Sequence, residues 1–276
     1  MIRFNHTLFA LPFALSALIL AAPGLPGWQI WFWTVLAFAG ARAAAMTLNR
    51  LIDAQIDARN PRTKDRSIPA GRITRAQAAT FSVLSFALMI FAATKLPSLC
   101  LFLSPVAVIW LSFYSFTKRF TWSCHFALGI AIGGAALGGW IAVAGELGSA
   151  VPWMLFAAVA TWVAGFDIIY ACQDTQVDRA EKLHSIPARF GIVAALKTSS
   201  ILHMVTMAAL ILVGITAHVG SIYWFGMAVV AAMLFYEHSL VKPNDLSRLD
   251  AAFFNVNGII AILAFLAIFF DHLHLI

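Results

Sequence analysis

Apolar stretches of roughly 17–22 residues recur along the chain between short polar segments, each near the ~20 residues with which a helix crosses about 30 Å of hydrocarbon. The pattern predicts an all-α, polytopic membrane bundle of about nine transmembrane helices. They fall at 5–22, 28–48, 76–94, 98–116, 124–145, 151–171, 192–217, 221–238 and 251–270. No segment alternates apolar and polar residues with a period of two, which sets a transmembrane β-barrel aside. No linker or soluble insertion interrupts the pattern, so residues 1–276 read as one domain. Arg3 is the only early charge and another apolar helix follows at once, so the first helix is expected to be retained rather than cleaved as a signal peptide.

Composition agrees: 62% of the 276 residues are hydrophobic and only 11% are charged. The net charge of +6 does not point to nucleic acid, because the basic residues follow the loops. Arg50, Arg59, Arg62, Lys64, Arg66, Arg72 and Arg75 follow the second span, Lys118 and Arg119 the fourth, Arg179, Lys182 and Arg189 the sixth, and Lys242 and Arg248 the eighth. Lys95 is alone in the odd-numbered loops. The positive-inside rule then places the N-terminus and the even loops in the cytoplasm and the C-terminus outside, in a multi-pass protein of the cell inner membrane. The three cysteines, Cys100, Cys124 and Cys172, lack metal-site spacing, and neither disulfide nor zinc is expected.

Only twelve Asp and Glu occur, so their grouping is informative, since a charge beside a membrane span is costly and marks function. The end of the second span reads Asn49-Arg-Leu-Ile-Asp53-Ala-Gln-Ile-Asp57. On a continuous helix these three polar positions share one face over about 12 Å. The end of the sixth span carries Asp167, Tyr170, Asp174 and Asp178, again one helical stripe. Ser67-Ile-Pro-Ala follows the first group and Ser185-Ile-Pro-Ala the second, which suggests a weak internal duplication. Two facing acidic walls need a cation between them, and an oxygen-only set suits Mg²⁺, which takes one or two carboxylates plus substrate phosphate. Arg59, Arg62, Lys64, Arg66, Arg72 and Arg189 lie close in sequence and suit phosphate oxygens. Acids and bases so arranged predict a diphosphate site.

These residues resemble the UbiA superfamily of intramembrane prenyltransferases. Asn49, Asp53 and Asp57 match its Asn-x3-Asp-x3-Asp motif, and Asp174 and Asp178 with Tyr170 match its second motif. The string Leu183-His-Ser-Ile-Pro-Ala-Arg-Phe-Gly191 is similar to bacterial 4-hydroxybenzoate polyprenyltransferase-like members, some of them menaquinone enzymes of the futalosine route. The resemblance implies a bundle with a central cavity open to the cytoplasm. It also implies Mg²⁺-dependent transfer of a polyprenyl group from its diphosphate, through an allylic cation, to an aromatic acid, 4-hydroxybenzoate or a dihydroxynaphthoate, in ubiquinone or menaquinone synthesis. Asp53, Asp57, Asp174 and Asp178, with Asn49 as a neutral ligand, would hold the metal. Arg62, Lys64, Arg66 and Arg72, with Arg189, would close over the diphosphate, and Arg3 or Arg42 would meet the acceptor carboxylate. Asp167 would orient the acceptor, stabilise the cation or take the ring proton, beside Tyr170.

A cation transporter uses intramembrane carboxylates too, but its path needs polar residues across the whole membrane, and the outer halves are apolar. A lipid phosphotransferase would need an Asp-Gly and Arg motif that is missing. Within the prenyltransferase class, a haem or chlorophyll-type acceptor is the alternative. The glycines at 129, 133, 134, 138 and 139 predict close helix packing. His125 and His203 read as helix-end or satisfied side chains. Asn255 and Asn257 are expected to find partners inside the bundle.

Overall fold

The computed structural model describes residues 7–276, with side chains from residue 10 onward. Arg3, one of two arginines assigned to the acceptor carboxylate, lies outside the described residues, as does His6.

The described chain is helical, with one isolated bridge between Lys242 and Asp245 in place of any strand. Nine helices of 14 residues or more follow one another among the described residues. They are α1 (Thr7–Leu20), α2 (Trp28–Ile52), α4 (Arg75–Ala93), α5 (Ser98–Phe113), α6 (Cys124–Ala144), α7 (Val151–Ala171), α10 (Ile192–Thr216), α11 (Ser221–Leu240) and α12 (Asn257–Leu275). Short helices α3 (Ala54–Arg59), α8 (Thr175–Ala180) and α9 (Ile186–Phe190) lie between them. Among the described residues seven helical segments are long and apolar enough to cross a membrane, where about nine crossings were expected. α1 falls short in length and α11 carries the polar run Tyr236-Glu237-His238.

α6 packs on α1 and α7, α7 on α10, and α12 on α1 and α11. Phe13, Leu155, Val159, Trp162, Val213 and Ile260 fill the common core. With lipid tails as apolar as leucine, such packing depends on close approach, and the α6 glycines supply it. A Cβ on Gly139 would lie 2.0 Å from the Ala14 carbonyl oxygen of α1, and one on Gly129 would lie 2.2 Å from that of Ala160 in α7. Gly133 faces α7 as well, whereas Gly134 and Gly138 have open space beside them.

Both acid-bearing helices break where the sequence pattern predicts continuity. α2 stops at Ile52, Asp53 takes φ −87°, ψ 1°, and the chain resumes as α3. α7 stops at Ala171, a 3₁₀ turn spans Cys172–Asp174, Asp174 takes φ −96°, ψ 4°, and α8 follows. Asp53 and Asp174 thus sit in the sparsely populated bridge region, where the chain turns and active-site residues collect. Each break turns the second aspartate, Asp57 or Asp178, off the axis of the long helix. The continuous polar stripe expected from the spacing is therefore corrected to two kinked walls. Pro61 ends α3, since the residue before a proline disfavours the helical region and Asn60 is extended. Ser185 starts α9 by accepting a hydrogen bond from the Ala188 N–H.

Candidate active site

The two broken ends line one cavity of about 260 Å³. Asn49, Asp53 and Asp57 form one side, and Asp167, Tyr170, Asp174 and Asp178 the other, with Arg62, Arg66 and Lys118 on the lining as well. The spacing argument therefore brings the right groups together, although the helices that carry them are kinked.

Each acid is held differently. Asp53, only 3% exposed at its side chain, takes Lys118 Nζ at 2.6 Å and Arg119 Nη2 at 3.2 Å. Asn49 Nδ2 donates to Asp53 at 3.4 Å and to Ser115 Oγ at 3.2 Å, tying α2 to the 3₁₀ turn that carries both cations. Asp57 receives Arg66 Nη1 on both oxygens at 2.8 Å. Across the cavity, Arg62 grips Asp174 through Nε at 3.0 Å and through Nη2, and donates from Nη1 to the Tyr170 hydroxyl at 3.1 Å. Asn60 adds a donor to Asp174 at 3.1 Å. Asp178 accepts from Ser185 Oγ at 2.7 Å. Burial lowers the pKa of Arg62, but the hydrogen bond and charge of Asp174, with Tyr170 and Asp57 behind it, outweigh that and hold it above the ordinary arginine value. Arg62 thus remains a cation at any working pH.

A second cross-link joins the two walls outside the cavity lining. Arg59, at the end of α3, pairs with Glu181 just past α8, with Nε at 2.8 Å from Oε1. Tyr170 is fixed from below by Phe253, which stacks on it with ring centroids 4.0 Å apart. Phe253 lies in a π-helical segment, Ala251–Val256, and such segments are frequent at functional sites.

Several residues expected to meet the diphosphate lie off the cavity lining. Lys64 is exposed and off the cavity lining, and exposed Arg72 turns back to the Asp65 carbonyl. Arg189 lies over the Phe190 ring on the surface. Arg42, half-buried within α2, is not on the lining either. Lys64, Arg72 and Arg189 are near the acids in sequence only, because the loops carry their side chains outward. Reading by residue type missed Lys118, Arg119, Asn60, Ser185 and His125. The pair Lys118-Arg119, the only charges in the fourth loop, was a usable signal.

The donors fit Mg²⁺ in kind: four carboxylates and an amide, all oxygen. Among the described residues no three of His, Cys, Asp and Glu converge at metal distance, since Asp53, Asp57 and Asp174 each turn toward a cation. The acids form two pairs rather than one cage. That suits an ion that uses one or two carboxylates and completes its shell with substrate phosphate and water.

A multi-pass bundle that gathers paired aspartates and phosphate-suited cations in one cavity at a membrane face belongs to the membrane enzymes that act on diphosphates. The sequence profile of the UbiA prenyltransferase family matches residues 10–269. The 4-hydroxybenzoate octaprenyltransferase of Vibrio campbellii is 31% identical over 256 residues, covering 92% of this chain and 89% of that protein. The apo structure of a UbiA homolog from Aeropyrum pernix superimposes with a TM-score of 0.89 at 30% identity, covering 98% of this chain and 99% of the other. A UbiA homolog from Archaeoglobus fulgidus, solved with DMAPP and Mg²⁺, shares the fold with a TM-score of 0.74 at 20% identity, over 96% and 94% of the two chains. The chain belongs to the UbiA prenyltransferase family and is an intramembrane prenyltransferase, which sets the transporter and lipid phosphotransferase readings aside.

Proposed function

We propose that the protein transfers a polyprenyl group from its diphosphate to the ring of 4-hydroxybenzoate or a similar aromatic acid, for quinone synthesis at the inner membrane. One observation carries this reading: Asp53 and Asp57 face Asp174 and Asp178 across a single cavity that also holds Arg62, Arg66 and Lys118. The relatives named 4-hydroxybenzoate octaprenyltransferase favour that acceptor over a dihydroxynaphthoate or a haem-type ring.

Mg²⁺ held by Asp53, Asp57, Asp174 and Asp178, with Asn49 as a neutral donor, would neutralise charge on the leaving diphosphate. Lys118, Arg119, Arg66 and Arg62 supply the remaining positive charge, fixed in place beforehand by their aspartates, so little reorganisation accompanies bond cleavage. The allylic C–O bond breaks with its electron pair on the diphosphate. A π pair of the acceptor ring then forms the new bond to carbon one of the prenyl chain. The ring C–H pair restores aromaticity as its proton passes to a base. Asp167 is that base by position: it lines the cavity near its deeper end with His125 and Leu128, one turn above Tyr170 on α7. Tyr170, with Phe253 stacked behind it and Arg62 over its ring, would present a π face to the cation once Arg62 turns to the diphosphate.

The test is product mass from purified protein in detergent with Mg²⁺, geranyl diphosphate, and 4-hydroxybenzoate or 1,4-dihydroxy-6-naphthoate. Prenylated product that disappears in Asp53→Ala and Asp174→Ala supports the chemistry and names the ring. Bound diphosphate with no product from either ring removes the aromatic-acid reading.

A further inference from the structure

His125 is 3% exposed, lies in the first turn of α6, and has both ring nitrogens engaged within the protein by groups of opposite role. Its Nε2 lies 3.3 Å from the backbone N of Ile186, which donates to it. A nitrogen that accepts carries no hydrogen, so in the neutral ring the proton is on Nδ1. That tautomer is fixed by the hydrogen-bond network. Nδ1 lies 2.6 Å from Asp167 Oδ2 and donates to it. Asp167 Oδ1 accepts no hydrogen bond from any described residue, which leaves it for a ligand in the cavity that Asp167 lines.

The group that sets the histidine belongs to the second Ser-Ile-Pro-Ala string. Ser185 Oγ donates to Asp178, and the next residue, Ile186, donates to His125. The same strand is bound to the start of α6 and to the cation-bearing turn, with Cys124 Sγ 3.3 Å from the His184 carbonyl and the His184 N–H 2.7 Å from the Lys118 carbonyl. One three-residue stretch thus touches the diphosphate side of the cavity through Asp178 and Lys118, and the acceptor side through His125.

We infer that His125 is a positioning residue for the deprotonation step: set by the Ile186 N–H, it holds Asp167 Oδ2 so that Oδ1 meets the proton leaving the acceptor ring. This rests on the prenyl-transfer reading. The chemistry balances within that reaction. The ring C–H electron pair returns to the ring, Asp167 becomes the carboxylic acid, and its proton later passes to water. The His125 proton stays on Nδ1, where it orients the carboxylate and lowers the penalty of keeping it charged. Imidazole aimed by a backbone donor and aiming a carboxylate is the arrangement that keeps a base within reach of its proton.

Three substitutions separate this from a merely structural role. His125→Asn keeps a donor at the δ position, His125→Gln moves it to the ε position, and His125→Ala removes it. Each is purified in detergent and assayed with geranyl diphosphate, Mg²⁺ and either 4-hydroxybenzoate or its ring-deuterated form. The expected result is a fall in kcat of about 10- to 100-fold in the Ala and Gln variants, part of the ~10²–10⁴-fold that a placed base supplies. KM for geranyl diphosphate stays unchanged, a primary deuterium isotope effect absent from the wild type emerges, and the Asn variant recovers most of the rate. Equal rates in Asn and Gln overturn the inference, as does a loss that raises KM for the diphosphate in parallel or shows no isotope effect. If the Ala variant does not yield a monodisperse protein, the Asn and Gln pair decides alone. Wild-type protein that makes no prenylated 4-hydroxybenzoate refutes the underlying function instead, an outcome distinct from any result of the variants.

Discussion

Arg62→Ala removes the clamp that joins the two walls of the cavity. Its guanidinium forks onto Asp174 with Nε at 3.0 Å, reaches Tyr170 with Nη1 at 3.1 Å, and sits 5.2 Å over the Tyr170 ring. A charge-assisted hydrogen bond is worth about 1.5–3 kcal/mol. Arg62 keeps 33% of its side chain exposed, so screening takes the contribution toward the lower end, about 1.5–2 kcal/mol. If the fork is transferred to the diphosphate during turnover, that energy is a loss of roughly 10- to 30-fold in substrate affinity, at about 1.4 kcal/mol per tenfold. The assay is titration calorimetry of the purified variant with a non-reactive thio-analogue of geranyl diphosphate and Mg²⁺, next to steady-state kinetics. KM is expected to rise by the same factor as Kd, with Arg62→Lys in between, because a point charge lacks the bidentate fork. Because Arg62 is held above its ordinary pKa, the deficit is the same at pH 6 and pH 9. Unchanged affinity in Arg62→Ala refutes the reasoning and leaves Arg62 as a static tie between Asp174 and Tyr170.

Packing gives a matched pair: Gly139→Ala, whose Cβ would lie 2.0 Å from the Ala14 carbonyl oxygen, is expected to cost about 2–3 kcal/mol. Gly134→Ala meets nothing within 4 Å and should leave the thermal midpoint in detergent unchanged, so equal midpoints would refute the α1–α6 contact. Glu237, 0% exposed, accepts from Asn257 Nδ2 at 2.7 Å; Glu237→Ala is expected to lower stability by about 1–3 kcal/mol, and Glu237→Gln, which keeps a carbonyl acceptor, by less. Chelation of divalent ions by EDTA should abolish turnover and be reversed by Mg²⁺ addition, read by product mass, and turnover that survives EDTA would remove the metal from the reading.

The architecture was legible because a bilayer permits few solutions. Twenty-residue apolar runs leave only helices, and acids at two helix ends in an acid-poor chain point to one site. The breaks at Asp53 and Asp174 were not legible. Neither is marked by proline or glycine, and a continuous helix satisfies the i, i+4 spacing equally well. They arise from tertiary pairing, as Lys118 and Arg119 draw Asp53, and Arg62 and Asn60 draw Asp174. Arg62 and Arg66 line the cavity as expected, whereas the other expected bases lie off it for a related reason. Nearness in sequence predicted Lys64, Arg72 and Arg189, whereas the cavity lining takes Lys118, with Arg119 behind it on Asp53, from a loop some 65 residues beyond Asp53. His125 read as a satisfied helix-end residue because its partners, Asp167 and Ile186, lie 42 and 61 residues away. Asn257 has the buried partner expected of it, whereas Asn255 lies on the outside of the bundle rather than within it.

The ion pairs bear on how substrate and metal enter. Asp53, Asp57 and Asp174 are each engaged by a cation, while Asp178, among the described residues, is held by a hydroxyl. A divalent ion competes with Lys118, Arg66 and Arg62 for those carboxylates, and displacing a half-buried cation into a cavity with no anion is costly. Diphosphate would remove that cost by giving the three cations a new partner as their aspartates turned to the metal. Each ligand therefore raises the affinity for the other, and linkage requires the two factors to be equal. A coupling of about 1–3 kcal/mol, or roughly 5- to 150-fold, is the ordinary range. The measurement is Mn²⁺ binding by electron paramagnetic resonance with and without the thio-analogue, and the reverse titration. Lys118→Met frees Asp53 from one competitor, so it should tighten Mn²⁺ binding in the absence of the analogue and shrink the coupling. Coupling of wild-type size in Lys118→Met would show that Asp53 takes its metal without leaving its lysine, and the exchange of partners would have to be abandoned.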